Sequence, residues 1–185
     1  MTECVALLRG INVGKAKRVA MADLRELFVS LGHGKVRTVL NSGNVLFDCK
    51  RPDTKKLAPA IQNAIVATYG FSVAVTVLTA DSLAVIVREN PLLRIATDPS
   101  RHLVAFVGHA RALVPLRALL DESWKPDALA VGPRAAYLWC AGGVLDSKLF
   151  QTFSRVSGET VTTRNWATIL KLLSASGTSA RLGAH

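Results

Sequence analysis

Apolar residues in this chain come in short blocks, separated by polar segments that carry glycine. Cys4-Val5-Ala6-Leu7-Leu8 is a continuous apolar run of strand length. Met21, Leu24, Leu27, Phe28 and Leu31 then recur at helical spacing, and Gly32 supplies a stop. Residues 36–40 and 44–48 read as two strands around Asn41-Ser42-Gly43-Asn44, a hairpin signal. Leu57, Ile61, Ala64 and Ile65 predict a second helix whose first turn Pro59 makes irregular or late. Residues 71–78, rich in Val, predict a strand. The order is β-α-β-β-α-β, the ferredoxin-like unit.

A second round follows. Asp81-Ser82 caps a linking helix that runs to Arg88 and is ended by Asn90-Pro91. Beyond it the pattern predicts a strand at 102–107, a helix at 111–121, and a hairpin pair at 128–131 and 135–140 around Gly132-Pro133-Arg134. A helix near 146–157, a short strand at 159–162 and a terminal helix at 164–174 complete it. The expected fold is α+β: two ferredoxin-like βαββαβ halves packed together, with an appended C-terminal helix. The expected boundaries are 1–79 for the first half, 80–101 for the link, 102–174 for the second half with its extra helix, and 175–185 for a loose tail of Ser, Gly and Ala.

This topology brings polar segments together. The first and third strands of such a unit are antiparallel neighbours, so the end of the first lies beside the start of the third. Arg9-Gly10-Ile11-Asn12-Val13-Gly14-Lys15 therefore meets Asn41-Ser42-Gly43-Asn44 at one pole. In the second half the ends of the third and fourth strands share a pole. That places Ala141-Gly142-Gly143 and Asp146-Ser147-Lys148 near Thr162-Thr163-Arg164-Asn165-Trp166.

Composition narrows the classes. Of 185 residues half are hydrophobic, 19% charged and 6% aromatic, which suits a globular core and excludes a disordered chain. The N-terminus shows no basic stretch ahead of an apolar one, and polar residues interrupt the most apolar window, 71–87, so neither a secretory signal nor a membrane span is expected. Cys4, Cys49 and Cys140 lack metal spacing and read as reduced residues of a cytoplasmic protein. The formal charge of +10 favours polyanionic partners, although an Arg-rich composition bias explains it equally well; the one tight cationic group is Arg9, Lys15, Lys17 and Arg18.

Each motif has a bland reading beside the chemical one. Gly10 and Gly14 are separated by three residues, and Ala16 follows Lys15, whereas a nucleotide P-loop needs four residues and then Ser or Thr. The mismatch counts against a triphosphatase, leaving either an anion-holding turn or glycines that only permit positive φ. The Asn41–Asn44 turn can close on its own backbone. Thr163 is expected to cap the terminal helix, with Arg164 at its N-terminus turned toward a negative group such as a bound anion or Asp146. The aliphatic first and third strands lack the exposed aromatics of an RNA-stacking sheet. The four histidines lie apart, with no triad or zinc pattern.

Leu7-Leu-Arg-Gly-Ile-Asn-Val-Gly14, Met21-Ala-Asp-Leu-Arg25, Val36-Arg-Thr38 and Asn41-Ser-Gly-Asn-Val45 together closely resemble the bacterial domain-of-unknown-function family numbered 1697. Asn90-Pro91, Gly132-Pro-Arg134 with Tyr137-Leu-Trp139, Ser147-Lys-Leu149 and Thr163-Arg-Asn-Trp166 extend the resemblance to about Leu173. The chain departs at Lys15 and Asn41, where the family often has Gly and Gln. The resemblance implies an α+β fold of ferredoxin-like character and brings no established activity or catalytic residue.

The leading functional expectation is a binding module for an anionic ligand, either nucleic acid or a phosphorylated small molecule. Arg9, Asn12, Lys15, Asn41, Ser42 and Asn44 would form one site, and Lys148, Arg164 and Asn165 a second. No cofactor or metal is implied. Two other classes stay open. One is a small-molecule enzyme with a cleft between the halves, for which Asp48, Asp146 and Glu159 are the acidic residues nearest the clusters. The other is a protein-interaction or oligomer-forming module.

Overall fold

The computed structural model describes residues 1–50 and 52–177. Its first sheet is built from β1 (Thr2–Leu8), β2 (Gly34–Val39), β3 (Asn44–Cys49) and β4 (Val75–Thr79), in the order β2-β3-β1-β4 and antiparallel throughout. Helix α1 (Met21–Ser30) follows β1, and α2 (Thr54–Tyr69) joins β3 to β4. This is the ferredoxin-like arrangement. Helix α1 stops where Gly32, at φ 83°, turns the chain out of the helix, and Gly70, at φ 76°, does the same for α2.

Two details differ from the pattern. Helix α2 starts at Thr54 and runs through Pro59. The proline ring removes a single hydrogen bond close to the N-terminus, on an exposed turn, so the helix is not broken there. Strand β4 begins at Val75, not Phe71, because β1 ends at Leu8, whose register partner is Val75. Val73 still packs into the core without pairing as a strand residue.

Helix α3 (Ala80–Arg88) follows β4 directly. Its first turn is capped by the Thr79 hydroxyl, which accepts from Ser82 N at 3.1 Å, one element earlier than the Asp81-Ser82 pair suggests.

The second sheet repeats the order. Strands β5 (His102–Val107), β6 (Ala128–Val131), β7 (Ala135–Trp139) and β8 (Val161–Asn165) run β6-β7-β5-β8, again antiparallel. The expected helix at 111–121 is a single α turn, α4 (Val114–Arg117), between 3-10 turns at Ala110–Leu113 and Ala118–Asp121. Pro115 has no N–H to give the preceding turn, so a regular ladder cannot pass through this point. Helix α5 (Lys148–Ser157) is capped by Ser147, whose hydroxyl accepts from Phe150 N at 3.0 Å.

The largest correction lies at the last connection. Strand β8 extends to Asn165, opposite Leu103, and α6 (Trp166–Ala175) begins one residue later. Asn165, not Thr163, caps it, accepting from Thr168 N at 2.9 Å. Arg164 is therefore a strand residue opposite Val104 and does not stand at the helix N-terminus.

Contacts divide the chain into two compact units, 1–84 with 171 onward, and 85–170, each holding one sheet; the divisions fall within α3 and α6. In each sheet one face packs on the unit's own helices. Cys4, Ala6, Leu8, Val45 and Phe47 meet Leu24, Phe28, Ile61 and Ile65 in the first, and Leu103, Ala105 and Leu138 meet Leu116, Leu149 and Phe153 in the second. The alternate residues Val5, Leu7, Leu46, Val104 and Phe106 are just as buried. Along the central strands both faces are buried, which is why β1 and β5 read as continuous apolar runs. The opening of the expected tail is held in place. Ser176 is buried, donating its amide to Leu172 O, and Gly177 N donates to Glu3 Oε2; residues 178–185 lie outside the described residues.

Candidate functional site

The end of β1 and the β2–β3 turn meet as the topology predicts. Leu7 pairs with Asn44, and Leu8 N donates to Gly43 O at 2.8 Å. Beyond β1 the chain loops through residues 10–19 with four residues at positive φ: Gly10, Asn12, Gly14 and Lys17. Asn12 closes this loop. Its Nδ2 donates to Val19 O and to Asn41 O, both at 2.9 Å, while its Oδ1 accepts from Val19 N at 2.9 Å. One side chain thus clips the base of the loop and ties it to the hairpin turn. Lys17 adds a strap, Nζ to Ser72 O at 2.8 Å, and Ile11 is buried beneath.

The turn is equally constrained. A Cβ on Gly43, at φ 76°, would lie 2.8 Å from both Ile11 Cδ1 and Leu8 Cβ, so only glycine fits. Asn44 is fully buried and donates to Val39 O at 2.8 Å and Ser42 Oγ at 3.0 Å. Three of the six residues expected to bind at this pole, Asn12, Ser42 and Asn44, therefore hold the scaffold. Asn41 contributes its carbonyl to Asn12, Arg9 is half-buried with its amide on Ala74 O, and Lys15 is exposed.

Next to the clip lies a cavity of about 490 Å³, lined by Asn12, Arg18, Val19, Ala20, Met21 and Asn41. It opens at the N-terminus of α1. The N-cap residue is Ala20, which has no side chain to accept from the first-turn amides. Residues 4–22 contain no acidic side chain and carry Arg9, Lys15, Lys17 and Arg18. The motif reading did not include Arg18 in the site, although its place in the one tight cationic group marks it. The uncapped Ala20 ahead of Met21 was a second readable signal.

The second pole is organised differently. Asp127 accepts from Ala141 N at 2.8 Å and from Ser147 Oγ at 2.7 Å, fixing the β7–α5 loop. Lys148 opens α5 on the helix-covered side of the second sheet, where Leu149 joins Leu103 in the core. Arg164, opposite Val104, belongs to the other face, so the structure does not bring these two cations together. Arg164 donates to Thr163 O at 2.9 Å, and burial lowers its pKa to about 10. Asn165 is occupied as the α6 cap.

His102, at the start of β5, was not singled out from the sequence. It is fully buried, stacks on Trp166 with ring centroids 4.9 Å apart, and its Nε2 lies 3.0 Å from Asn90 Nδ2. Asn90 Oδ1 already accepts from Leu92 N, so Asn90 donates and His102 Nε2 accepts. Burial pulls the His102 pKa down to about 4.

A larger depression of about 1170 Å³ borders Glu3, Lys35, Arg37, Asp48 and Asp81. Four of these charges are paired within the chain: Arg37 bonds Glu3, and Lys35 lies 3.5 Å from Asp48. Among the described residues no group of three or more His, Cys, Asp or Glu side chains is placed to hold a metal ion, and no helix is long and apolar enough to cross a membrane.

Comparison with solved structures finds a likeness over nearly the whole chain. The conserved bacterial protein SP0830 from Streptococcus pneumoniae matches with a TM-score of 0.77 at 23% identity, covering 94% of this chain and 97% of that one. At that identity the match speaks for the fold. A comparison with curated proteins finds no match. The family model described as "Protein of unknown function (DUF1697)" matches residues 1–137, a span that holds the first sheet, the clipped loop and its hairpin turn, and on that match the chain belongs to this family.

Proposed function

We propose that the chain is a binding module for a phosphate-bearing ligand, held at the clipped loop between β1 and α1. The observation that carries this reading is the cavity of about 490 Å³ beside Arg18, set in a stretch of the chain with four cations and no carboxylate. Among the described residues Lys15, Lys17 and Arg18 make no ion pair within the chain, so their charge is available to an outside anion. The uncapped first turn of α1 adds amide donors and the positive end of the helix dipole at the same place. Asn12 and Asn41 fix the loop in advance, so little ordering is left for binding to supply.

Such a site recognises phosphate groups on a small molecule or along a nucleic-acid backbone. Base stacking on the sheet in the manner of RNA-recognition modules does not support the second form, because Val5, Leu7 and Leu46 are buried. The test is direct titration with inorganic phosphate, a sugar phosphate and labelled DNA and RNA oligomers, at low and high salt. Binding that weakens at least tenfold in Arg18→Ala supports the reading. Oligomer binding that falls steeply with salt identifies the polymer. No binding of any probe at low salt, or binding indifferent to Arg18 and Lys15, overturns it.

A further inference from the structure

Near the start of β1, away from the loop, two thiols face each other. Cys4 on β1 and Cys49 on β3 lie 45 residues apart in sequence and 3.4 Å apart at sulfur. Cys4 is opposite Phe47 and Cys49 opposite Thr2, so the two are diagonal neighbours on the helix-covered face of the sheet. A disulfide needs the sulfurs at about 2.05 Å, so side-chain rotation together with a shift of the strand end would have to bring them about 1.4 Å closer than they stand.

We propose that Cys4 and Cys49 are a reversible redox pair, which hydrogen peroxide closes into a disulfide stapling β1 to β3 and a dithiol reductant reopens. Cys49 is the last residue of β3, where fraying of the ladder end first admits a small oxidant. Its sulfur attacks one peroxide oxygen, the O–O bond breaks, and the other oxygen leaves as water, giving a sulfenic acid. The Cys4 sulfur then displaces that hydroxyl as a second water. Two thiols lose two electrons and two protons, and one peroxide becomes two waters. Burial pushes the Cys4 thiol up to about 12, with Cys49, Asp48 and Glu3 acting in the same direction. Cys4 is thus the poorer first nucleophile, which leaves the first step to Cys49. Both thiols are buried, so peroxide, a small oxidant, is the class that fits, and bulky disulfides such as glutathione are shut out. Cys140 is buried in the second unit, where it forms no thiol pair, and serves as an internal control.

The full chain is treated with peroxide, quenched, denatured and alkylated with N-ethylmaleimide. The expected result is one alkylated thiol, Cys140, where the untreated chain shows three. Before alkylation the intact mass falls by about 2 Da, and a cross-linked peptide joins Cys4 to Cys49. Dithiothreitol restores three thiols. The oxidised chain melts roughly 5 °C or more above the reduced one, because a long loop is closed. In Cys4→Ala, with folding checked by circular dichroism, dimedone traps the sulfenic acid on Cys49. Three thiols remaining after peroxide, sulfinic acid without a cross-link, or a disulfide that contains Cys140 would overturn the proposal. Should Cys4→Ala fail to fold, the thiol count on the native sequence decides alone. No ligand enters this test, so its outcome is independent of the anion-binding reading.

Discussion

The two sheets share a strand order but treat their polar ends in opposite ways. At the end of β1 the loop is clipped by neutral groups, the Asn12 amide and Gly43; Lys17 adds only a strap to a carbonyl, and Lys15 and Arg18 are exposed. At the start of β5 the polar and charged groups are drawn inward: His102 is buried under Trp166, Asp127 is spent on backbone and Ser147, and Arg164 lies deep enough to lose part of its basicity. A charged residue on a polar loop is therefore a different object at each pole. Where neutral side chains make the clip, the charge is left over for an outside partner.

Substitutions can break or sharpen this contrast. The largest effect is expected at Gly43→Ala, where a close contact with Leu8 and Ile11 adds to an unfavourable φ; urea unfolding should show a loss of about 4 kcal/mol. A change below 1 kcal/mol would mean that the turn and loop are not locked together.

Acid comes next. The folded His102 has a pKa of about 4 against an ordinary 6.5, so the unfolded chain takes up its proton first. The associated stability is present in full above pH 6.5 and is lost as pH falls toward 4, by about 3 kcal/mol in all. Burial lowers His33 as well, with the same sign. Unfolding measured across this window should be markedly flatter in His102→Gln; an unchanged slope would show that the buried pole does not titrate.

A smaller loss, about 2 kcal/mol, is expected for Asn12→Gly, which keeps the left-handed backbone but removes three hydrogen bonds. The loop amides should also gain hydrogen exchange. The smallest stability change belongs to Arg18→Ala, within about 0.5 kcal/mol. Loss of phosphate-ligand binding with an intact melting curve there is the result that separates the outward pole from the inward one.

Much of this was legible in the chain. The buried strands announce themselves as unbroken apolar runs, and strand adjacency follows from the element order, which places 9–15 beside 41–44. The use of each polar side chain was not legible. Asn12 and Asn44 look like ligand-binding amides, yet a loop with several left-handed residues and a turn with a buried corner consume them as hydrogen-bond closures. Val161-Thr162-Thr163-Arg164-Asn165 reads as the end of a strand followed by a helix cap. Strand β8 extends its pairing along β5 to Asn165, because a ladder of backbone bonds outweighs one cap at Thr163. His102 gave no motif, since a histidine held by one asparagine and one tryptophan has no spacing signature.

The Asn12 clip has a practical consequence. Because the loop is closed at its base by Val19 and anchored to Asn41, its exposed tip at 13–16 is mechanically separate from the sheet. A spectroscopic label can be attached there at Val13, which is 71% exposed, with Lys15 and the ladder between β1 and β3 left undisturbed. The tip thus becomes a handle from which to watch, in real time, whatever docks beside it.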